Sequence, residues 1–213
     1  MSSCQCEGCG LQFGAEHAAK DLERYHNQGP DRTTRLLLNQ LKTQGVEGAT
    51  LLDVGAGIGV IHHELLDSGA GSAIHVDATD ANIEAAEIEA KQRGHLGRVT
   101  FIRGDFVQLA NHIAEADIVT LDRVICCYDD MEQLVTASAT KARRLYGAVY
   151  PRERWVNKLW VALGNFGRRM LRNPFRTYVH STTAIDDVLR RHGLQRQSVK
   201  ETFVWRVAVY ARH

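Results

Sequence analysis

The residues best suited to chemistry lie in one short segment, where an apolar run of strand length ends in three glycines. Residues 49–54 form the apolar run, and Gly55, Gly57 and Gly59 follow on alternate positions. Residues 60–66 then place apolar side chains at helical spacing. A strand, a glycine turn and a helix in this order build the nucleotide site of a doubly wound α/β domain, because glycine lets the backbone pass close to a ligand.

The spacing of the glycines argues against a dinucleotide site. The dinucleotide pattern G-x-G-x-x-G/A needs a third small residue at position 60, where this chain has Val60. The segment instead reads D-x-G-x-G-x-G from Asp53 onward. A second strand-like run, residues 72–76, ends in Asp77, where a carboxylate can accept hydrogen bonds from both hydroxyls of a ribose.

Four motifs in this order resemble those of the class I S-adenosylmethionine-dependent methyltransferases. Two of them are the glycine turn and the strand that ends at Asp77. Residues 99–106 resemble the third strand of that family, and residues 116–122 resemble the fourth, which enters the methyl-transfer site. The resemblance covers residues 30–213 and is strongest over residues 49–122.

The resemblance implies S-adenosylmethionine as the cofactor and assigns residues to its parts. Asp77 would bind the ribose, Asp53 and the glycine turn would lie beside the methionine part, and an acid and an aromatic residue after the third strand would face the adenine. In the family, a segment before the first strand often folds over the cofactor, although a packed helix unrelated to the site is the alternative here. The expected cofactor-binding residues are Tyr25, Asp53, Gly55, Ala56, Gly57, Gly59, Asp77, Ala78, Asp105, Phe106 and Asp122.

Length and composition favour one α/β domain with a full core. The chain has 213 residues, of which 44% are hydrophobic, and a formal net charge of +1. No apolar run reaches membrane-spanning length, and the amino terminus lacks a basic region followed by an apolar stretch, so a cytoplasmic location is expected. Strand and helix patterns alternate from residue 49 to about 149, which indicates a parallel sheet with crossover helices.

The resemblance adds a doubly wound, seven-stranded, mostly parallel sheet with an antiparallel C-terminal strand. Residues 1–28 are expected to form an N-terminal segment with a cysteine cluster and a cover helix. Residues 29–213 are expected to form one S-adenosylmethionine-binding methyltransferase domain, with a basic amphipathic insertion at about 151–178.

The flanking regions show recognisable helix and strand patterns. Asp80 is a candidate cap for the helix after the second strand, a helix from Ser181 is expected to close at Gly193, and residues 195–213 alternate as an antiparallel hairpin. Near the amino terminus, residues 15–27 and 31–43 predict two helices. The buried side of the second is expected to consist of Leu36, Leu37, Leu38 and Leu41.

The loop after the fourth strand is the predicted place for methyl transfer. The sulfonium methyl is already activated, so the protein must align the acceptor, exclude water and, for a poor nucleophile, remove a proton. Residues 122–130 lack the Asn/Asp-Pro-Pro-aromatic pattern of amino-methylating nucleic-acid enzymes. A finer likeness is to the magnesium-protoporphyrin O-methyltransferase and quinone-biosynthesis branch, where an aspartate and a tyrosine bracket this loop. Asp122 and Tyr128 are therefore catalytic candidates, and His26 is a candidate base by its chemistry alone.

The five cysteines form no disulfide framework, because their number is odd and two of them are adjacent. Cys4, Cys6 and Cys9 form a C-x-C-x-x-C cluster, which would bind zinc if a histidine or a partner supplied a fourth ligand. The alternative is a flexible or loosely packed terminus without metal. Cys126 and Cys127 are expected to be packing residues, since the loop lacks the Pro-Cys pair of cytosine methylation.

Residues 141–176 are the one compositional anomaly of the chain. Ten basic residues and a single acid, Glu153, give this segment a net charge of +9, which leaves −8 elsewhere. Interleaved apolar residues predict an amphipathic helix. We expect a lid that grips an anionic substrate, with Trp155, Trp160 and Phe166 facing the substrate or the core; contact with an anionic membrane through 151–176 and a solvated face are the alternatives.

These patterns together predict an enzyme that transfers a methyl group from S-adenosylmethionine to a small molecule that is bulky, aromatic or anionic. One alternative is methylation of RNA or protein, although the near-neutral total charge argues against nucleic acid as a partner. The other is a non-catalytic protein that uses this fold to bind the cofactor or a membrane.

Overall fold

A computed structural model describes residues 3–212, and the side chains from Gly8 to Arg212, as one seven-stranded sheet with helices on both faces. The strand order is β3-β2-β1-β4-β5-β7-β6. The first five strands are parallel, β7 is antiparallel to β5, and β6 is antiparallel to β7. The predicted class I methyltransferase fold is thereby confirmed. The strands are β1 (Thr50–Val54), β2 (Ser72–Asp77), β3 (Val99–Arg103), β4 (Ala116–Asp122), β5 (Ala142–Pro151), β6 (Leu194–Glu201) and β7 (Trp205–Arg212).

Helices connect the parallel strands and cover both faces of the sheet. Three of them precede the first strand, and the hairpin of β6 and β7 follows the last. The helices are α1 (Ser3–Gln12), α2 (Ala15–Gln28), α3 (Arg32–Thr43), α4 (Val60–Asp67), α5 (Asp80–Gln92), α6 (Phe106–Leu109), α7 (Met131–Ala139), α8 (Trp155–Met170) and α9 (Thr182–Arg191).

The central strands are buried on both faces, which explains why their sequences are nearly continuous apolar runs. Leu51 and Leu52 are both buried but belong to different core clusters, because successive side chains of a strand point to opposite faces. Leu51 packs in the cluster that contains Leu37 and Leu65 of α3 and α4. Leu52 packs in the cluster that contains Leu134 of α7.

The second predicted helix begins as expected, and its cap is clear. Asp31 precedes α3, and its carboxylate accepts hydrogen bonds from the backbone N–H groups of Thr33 and Thr34 at 3.0 Å each. The expected cap of α5 is wrong. Thr79 precedes that helix, and Asp80 is its first residue and forms an ion pair with Arg103 at 2.7 Å.

The C-terminal elements agree closely with the predicted pattern. Ser181 precedes α9, and Gly193 adopts a φ of +77° directly after the terminal residue His192. The predicted hairpin is present as β6 and β7.

The N-terminal segment forms two helices rather than a loosely packed terminus. Gly8 of α1 lies so close to Phe175 that a Cβ atom on it would approach the Phe175 nitrogen to 2.8 Å. In α2, Ala18 and Tyr25 are buried against Ile58 and Ala85. Helix α2 is therefore packed beside the glycine turn, and α1 beside the segment after α8.

Candidate functional site

A cavity of about 460 Å³ opens at the carboxyl ends of the parallel strands. A smaller cavity of about 110 Å³ lies beside the glycine turn, between α2 and α3. The connections reverse direction between β1 and β4, and ligands of open α/β sheets bind at such a switch point. Among the expected cofactor residues, the larger cavity is lined by Gly55, Gly57, Asp77, Ala78, Asp105, Phe106 and Asp122, and the smaller by Tyr25, Asp53, Gly55, Ala56, Gly57 and Asp122.

The three glycines of the turn have different physical roles, although all have positive φ values. A Cβ atom on Gly55 would meet Val124 at 2.5 Å, and one on Gly59 would meet the His62 ring at 2.5 Å. A Cβ atom on Gly57 would meet no atom within 4 Å and would extend into open space. Gly57 is thus the position where bare backbone faces both cavities, whereas Gly59, which lines neither cavity, permits close packing at the start of α4.

Asp77 has the geometry of a ribose acceptor. Its Oδ1 accepts hydrogen bonds from the Thr79 N–H at 2.9 Å, the Thr79 hydroxyl at 2.9 Å and the Asn82 amide at 3.2 Å. Its Oδ2 accepts one from the Gly57 N–H at 2.9 Å. Burial raises the pKa of Asp77, and these donors hold the pKa below the level that burial alone would set. The carboxylate is therefore fixed in position with acceptor capacity left on Oδ2.

Asp53 lies under the glycine turn and joins β1 to its neighbours. It accepts a hydrogen bond from the Thr120 hydroxyl of β4 at 2.7 Å and lies 3.1 Å from Nδ1 of His62. Burial raises the pKa of Asp53 to about 6 and lowers the pKa of His62 to about 3. The pair therefore consists of a carboxylate and a neutral imidazole at neutral pH.

Asp105 and Tyr128 are linked across the larger cavity. The Tyr128 hydroxyl donates to Oδ1 of Asp105, which also accepts from the Val107 N–H at 3.0 Å. Phe106, next to Asp105, is buried and lines the same cavity. Tyr128 therefore belongs to the side of the site where the resemblance places the adenine.

Asp122 lies at the other side of the site, in a network with α3. Its Oδ2 accepts from the Thr34 hydroxyl at 2.5 Å, and its Oδ1 lies 3.1 Å from Nε of Arg123. Arg123 also forms an ion pair with Asp31 at 2.5 Å. Burial raises the pKa of Asp122 despite the neighbouring guanidinium. The two catalytic candidates thus make separate hydrogen bonds, Asp122 with Thr34 and Arg123, and Tyr128 with Asp105.

Arg123 is a candidate site residue that the sequence reasoning missed. It has a φ of +62°, a conformation that non-glycine residues adopt only when the surroundings impose it. Its side chain bridges Asp31 and Asp122 and lines both cavities. The sequence signal that could have identified Arg123 is its place directly after Asp122, at the end of the strand that enters the predicted transfer site.

His26, a candidate base from its chemistry alone, lines neither of the two cavities. Its Nε2 lies 2.6 Å from Glu89 on α5, and its side chain is 42% exposed. Tyr25, its neighbour on α2, is buried and lines the smaller cavity, and its hydroxyl donates to Glu64 at 2.7 Å. The helical turn thus directs Tyr25 toward the glycine turn and His26 toward α5.

The far wall of the larger cavity comes from regions that the family motifs do not cover. Arg24 and Arg168 supply positive charge, and Nε2 of His17 lies 3.3 Å from the carboxylate of Asp21. Aromatic and sulfur-containing side chains supply the remaining surface. These residues are Cys9, Phe13, Cys126, Cys127, Tyr128, Phe175 and Trp205.

The two adjacent cysteines are unsuited to act as nucleophiles. Their sulfur atoms are 4.0 Å apart, and both thiols donate to the carbonyl oxygen of Arg123. The hydrogen bond with Cys126 and burial raise the pKa of Cys127 well above its usual value. The Cys127 thiol therefore stays protonated at neutral pH.

The side chains of Cys4 and Cys6 lie outside the described residues, and Cys9 lines the larger cavity. Among the side chains from Gly8 to Arg212, no three histidine, cysteine or acidic groups come together as a metal site. Within the part of the chain described, no helix has the length and apolar character needed to cross a membrane.

Helix α8 is oriented differently from the expected lid. Trp155, Trp160 and Phe166 face the solvent, with 76%, 70% and 64% of their surfaces exposed. The opposite face of the helix contributes Arg168 to the cavity wall. The lid expectation is therefore wrong for the aromatic residues, because polar side chains occupy the inner face.

Comparison with known proteins agrees with this geometry. Residues 46–148 match the family model described as a methyltransferase domain. The ribosomal protein L11 methyltransferase of Neisseria meningitidis serogroup C / serotype 2a is 41% identical over 64 residues. This match covers 30% of the present chain and spans only 22% of that relative's length.

Two solved structures show the same fold at low sequence identity. The magnesium protoporphyrin IX methyltransferase from Synechocystis PCC 6803 with bound SAH gives a TM-score of 0.71 at 20% identity, covering 91% of this chain and 86% of that one. A chain of the complex between the Haloferax volcanii Trm112 methyltransferase activator and a putative methyltransferase gives a TM-score of 0.70 at 16% identity. That match covers 95% of this chain and 97% of the other. Residues 46–148 therefore match a methyltransferase domain, and the chain shares its fold with these solved methyltransferases.

Proposed function

We propose that this protein transfers a methyl group from S-adenosylmethionine to a small molecule that is bulky, aromatic or anionic. The observation that carries this proposal is the composition of the larger cavity. Its cofactor side is formed by Gly57, Asp77 and Asp105, and its far side by aromatic residues and the guanidinium groups of Arg24 and Arg168. A concave cavity of this size with aromatic side chains in its wall is typical of a small-molecule site.

The residues present fit the cofactor. The open space over Gly57 and the acceptor capacity of Asp77 Oδ2 match a nucleoside that lies against bare backbone. Asp77 would bind the ribose, and Asp105 and Phe106 would contact the adenine. Gly55 would lie in the turn beside the methionine part. When bound, the cofactor supplies a methyl group that is already activated for displacement.

The chain's own contribution is to position the acceptor, exclude water and remove a proton. Phe13 and Phe175 meet edge to face with ring centroids 5.3 Å apart, so the connection between α1 and α2 and the segment after α8 close the cavity from outside. His17, paired with Asp21 at 3.3 Å, is the imidazole placed in the cavity wall to take the acceptor's proton. Deprotonated acceptors would be stabilised by Arg24 and Arg168.

Methylation of protein or RNA is the second candidate. The similarity to a ribosomal protein L11 methyltransferase favours it, although the similarity covers only 30% of this chain. A macromolecular acceptor would need to present its target inside the cavity, past the N-terminal helices that contribute Phe13 and His17 to the wall.

An experiment with an isotopically labelled methyl donor and a cell extract separates these candidates. We expect label in the small-molecule fraction, identified by mass spectrometry. The Asp77→Ala variant leaves ribose hydroxyls unpaired, so its affinity for S-adenosylhomocysteine in calorimetry should fall by roughly 1–3 kcal/mol. Asp80→Ala is the matched control, because Asp80 lies three residues further along the chain, is exposed at the start of α5 and pairs with Arg103.

Three results would contradict the proposal. Label found in RNA or protein would assign the macromolecular function. Absence of label in every fraction, with S-adenosylhomocysteine still bound, would indicate a non-catalytic binding protein. Equal affinities in the Asp77 and Asp80 variants would remove Asp77 from the cofactor site.

Arg168 tests the anionic character of the acceptor. Because Arg168 lines the cavity, Arg168→Gln should raise the KM for an anionic acceptor by roughly tenfold, as expected for a lost charge-assisted hydrogen bond. Its affinity for S-adenosylhomocysteine should not change. Arg169→Gln is the control, since Arg169 is the next residue and is exposed. An unchanged KM in the Arg168 variant would show that the acceptor carries no negative charge near this wall.

A further inference from the structure

Helix α8 presents its apolar side to the solvent. Trp155, Leu159, Leu163, Phe166 and Met170 follow one another at intervals of three and four residues, so they lie on one face of the helix. Each of them is at least 50% exposed. Asn157 is the buried residue of this helix. The helix is therefore amphipathic with its apolar face outward, the reverse of a core-packed helix.

Hydrogen bonds to backbone fix this orientation. The Asn157 amide donates to the carbonyl oxygen atoms of Arg152 at 2.9 Å and Val204 at 3.0 Å. The Asn165 amide donates to the Thr177 carbonyl at 2.7 Å, and Asn165 Oδ1 accepts from the Thr177 N–H at 3.0 Å. Turning the apolar face inward would break all four bonds and bury polar groups. The exposed apolar face is thus built into the fold.

The turn between β6 and β7 extends this face. Phe203 is 66% exposed and Val204 is 39% exposed. The guanidinium of Arg154 lies 5.5 Å from the centre of the Phe203 ring, so the turn adjoins the start of α8. We call the exposed apolar residues of α8 together with Phe203 and Val204 the α8 surface. Contiguous apolar surface of this kind marks a site of interaction in soluble proteins.

The charges around the α8 surface are strongly positive. Arg154, Lys158, Arg169 and Arg172 lie on α8 or next to its ends, in a segment with a net charge of +9. Lys158 pairs with Glu153 at 3.0 Å. Within the described residues, Arg154, Arg169 and Arg172 have no carboxylate at ion-pair distance. A second copy of this chain would bring like charges together at this surface, whereas an anionic partner would neutralise them.

We propose that the α8 surface docks on an anionic membrane surface. The α8 surface, which includes Trp155, Trp160 and Phe166, would enter the boundary between headgroups and acyl chains. The flanking arginines would lie at the level of the lipid phosphates. A single convex helix with this pattern suits a planar lipid surface. Arg168, on the inner side of the same helix, lines the cavity, so the docking helix is also a wall of the candidate site.

Flotation with lipid vesicles tests the proposal on the intact protein. We expect the protein to float with vesicles of phosphatidylcholine mixed with phosphatidylglycerol, and to bind vesicles of phosphatidylcholine alone much more weakly. Raising the salt concentration should release it, because the attraction of surface charges is screened. The variant Arg169→Gln/Arg172→Gln should bind roughly 25-fold more weakly, at about fivefold for each basic residue lost. Trp160→Ser/Phe166→Ser should abolish binding.

Matched variants elsewhere on the surface control for general effects. Ile88→Ser/Leu96→Ser removes two apolar residues that are 53% and 49% exposed, outside the α8 surface. Lys91→Gln/Arg190→Gln removes two exposed positive charges on α5 and α9. Both controls should float like the wild type. Every variant should bind S-adenosylhomocysteine with unchanged affinity, which shows that it is folded.

Quenching by brominated phosphatidylcholine distinguishes lipid insertion from contact with protein. We expect mixed vesicles that contain brominated lipid to quench the fluorescence of Trp155 and Trp160. A Trp155→Phe/Trp160→Phe variant retains only Trp205, which lines the cavity and should not be quenched.

Two outcomes would overturn the proposal. The first is equal binding of wild type and the Arg169/Arg172 variant to anionic vesicles, or no binding by either. The second is a concentration-dependent dimer, seen by light scattering without lipid and lost in Trp160→Ser/Phe166→Ser. That result would assign the α8 surface to a second copy of the chain.

Discussion

Helices α3 and α8 have apolar stripes of the same kind, but the fold directs them in opposite directions. In α3, Leu37 and Leu41 are completely buried against the sheet. In α8, Leu163 is 56% exposed, and Phe166 is 64% exposed. The two helices show that periodicity identifies the apolar face of a helix, whereas the surrounding polar groups decide whether that face packs inward.

The physical cause lies in what each helix finds on the neighbouring sheet. Gly147 of β5 has no side chain, and a Cβ atom there would meet Leu37 at 2.8 Å, so α3 packs closely on bare backbone. Near α8, the carbonyl groups of Arg152 and Val204 each accept one backbone hydrogen bond at 2.8 Å, and the Asn157 amide donates a second bond to each of them. An apolar residue at position 157 would lose both of these additional bonds.

Truncating one leucine in each helix should give the largest difference between them. Leu41→Ala leaves a cavity in the core and should lower the free energy of unfolding by about 2–5 kcal/mol. Leu163→Ala removes the same atoms from an exposed position and should change it by no more than about 0.5 kcal/mol. Urea denaturation followed by circular dichroism measures both. A loss above about 2 kcal/mol for Leu163→Ala would show that the outer face of α8 is covered by protein, since such losses come from buried sites.

His75 of β2 shows the opposite arrangement from the α8 surface. The α8 surface exposes apolar side chains to solvent, whereas His75 places a polar imidazole in the core. It is fully buried, and within the described residues neither of its ring nitrogens has a hydrogen-bond partner. His75→Leu should therefore raise the free energy of unfolding by about 1–3 kcal/mol at pH 8. His95→Leu is the control, because the ring of His95 has partners in His63 and Asp67, both at 3.1 Å.

The gain in the free energy of unfolding from His75→Leu should become larger as the pH falls. Burial lowers the pKa of His75 to about 3, whereas the unfolded chain has the usual value near 6.5. Between these values the unfolded state binds the proton, so wild-type stability at this position is present above pH 6.5 and is lost toward pH 3. The gain should be about 2 kcal/mol larger at pH 5 than at pH 8. A constant gain would mean that His75 titrates normally in the folded protein.

The cofactor side of the molecule was largely predictable from local sequence. A strand, a glycine turn and an acid at the next strand end are consecutive in the chain, so their geometry follows from short-range rules. Asp77, Asp105 and Asp122 lie at the cavity for this reason. Gly59 was assigned to the cofactor because it continues the alternation, but its contact with the His62 ring depends on the packing of α4.

The acceptor side depends on contacts between distant segments, which a single sequence does not encode locally. Phe13 and Phe175 are far apart in the chain yet form one wall of the cavity. The inward direction of Asn157 depends on the carbonyl of Val204, which belongs to the final hairpin. The chemistry of an imidazole alone suggested His26 as a base. The position of His26 on α2 instead directs its ring toward Glu89.

The starts of the two helices give the smallest and most direct contrast. Asp31 caps α3 through two backbone N–H groups, whereas Arg154 occupies the same position before α8 and makes no side-chain cap. Asp31→Ala should lower the free energy of unfolding by about 1–2 kcal/mol. Arg154→Ser should raise it by about 0.5–1 kcal/mol, because Arg154 already has an extended backbone, with φ −117° and ψ 145°, in which a serine hydroxyl can accept from the first turn.

Urea midpoints measured at a constant slope report both changes. The cap position of α8 holds a basic residue although a basic side chain near a helix start opposes the helix dipole. Arg154 lies over Phe203 at 5.5 Å, on the edge of the α8 surface. A stabilised Arg154→Ser variant that also binds anionic vesicles more weakly would mean that helix stability is sacrificed there for docking. If Arg154→Ser instead lowers the free energy of unfolding, the contact of Arg154 with Phe203 stabilises the start of α8. Helices α3 and α8 would then differ in how their first turns are stabilised as well as in the direction of their apolar faces.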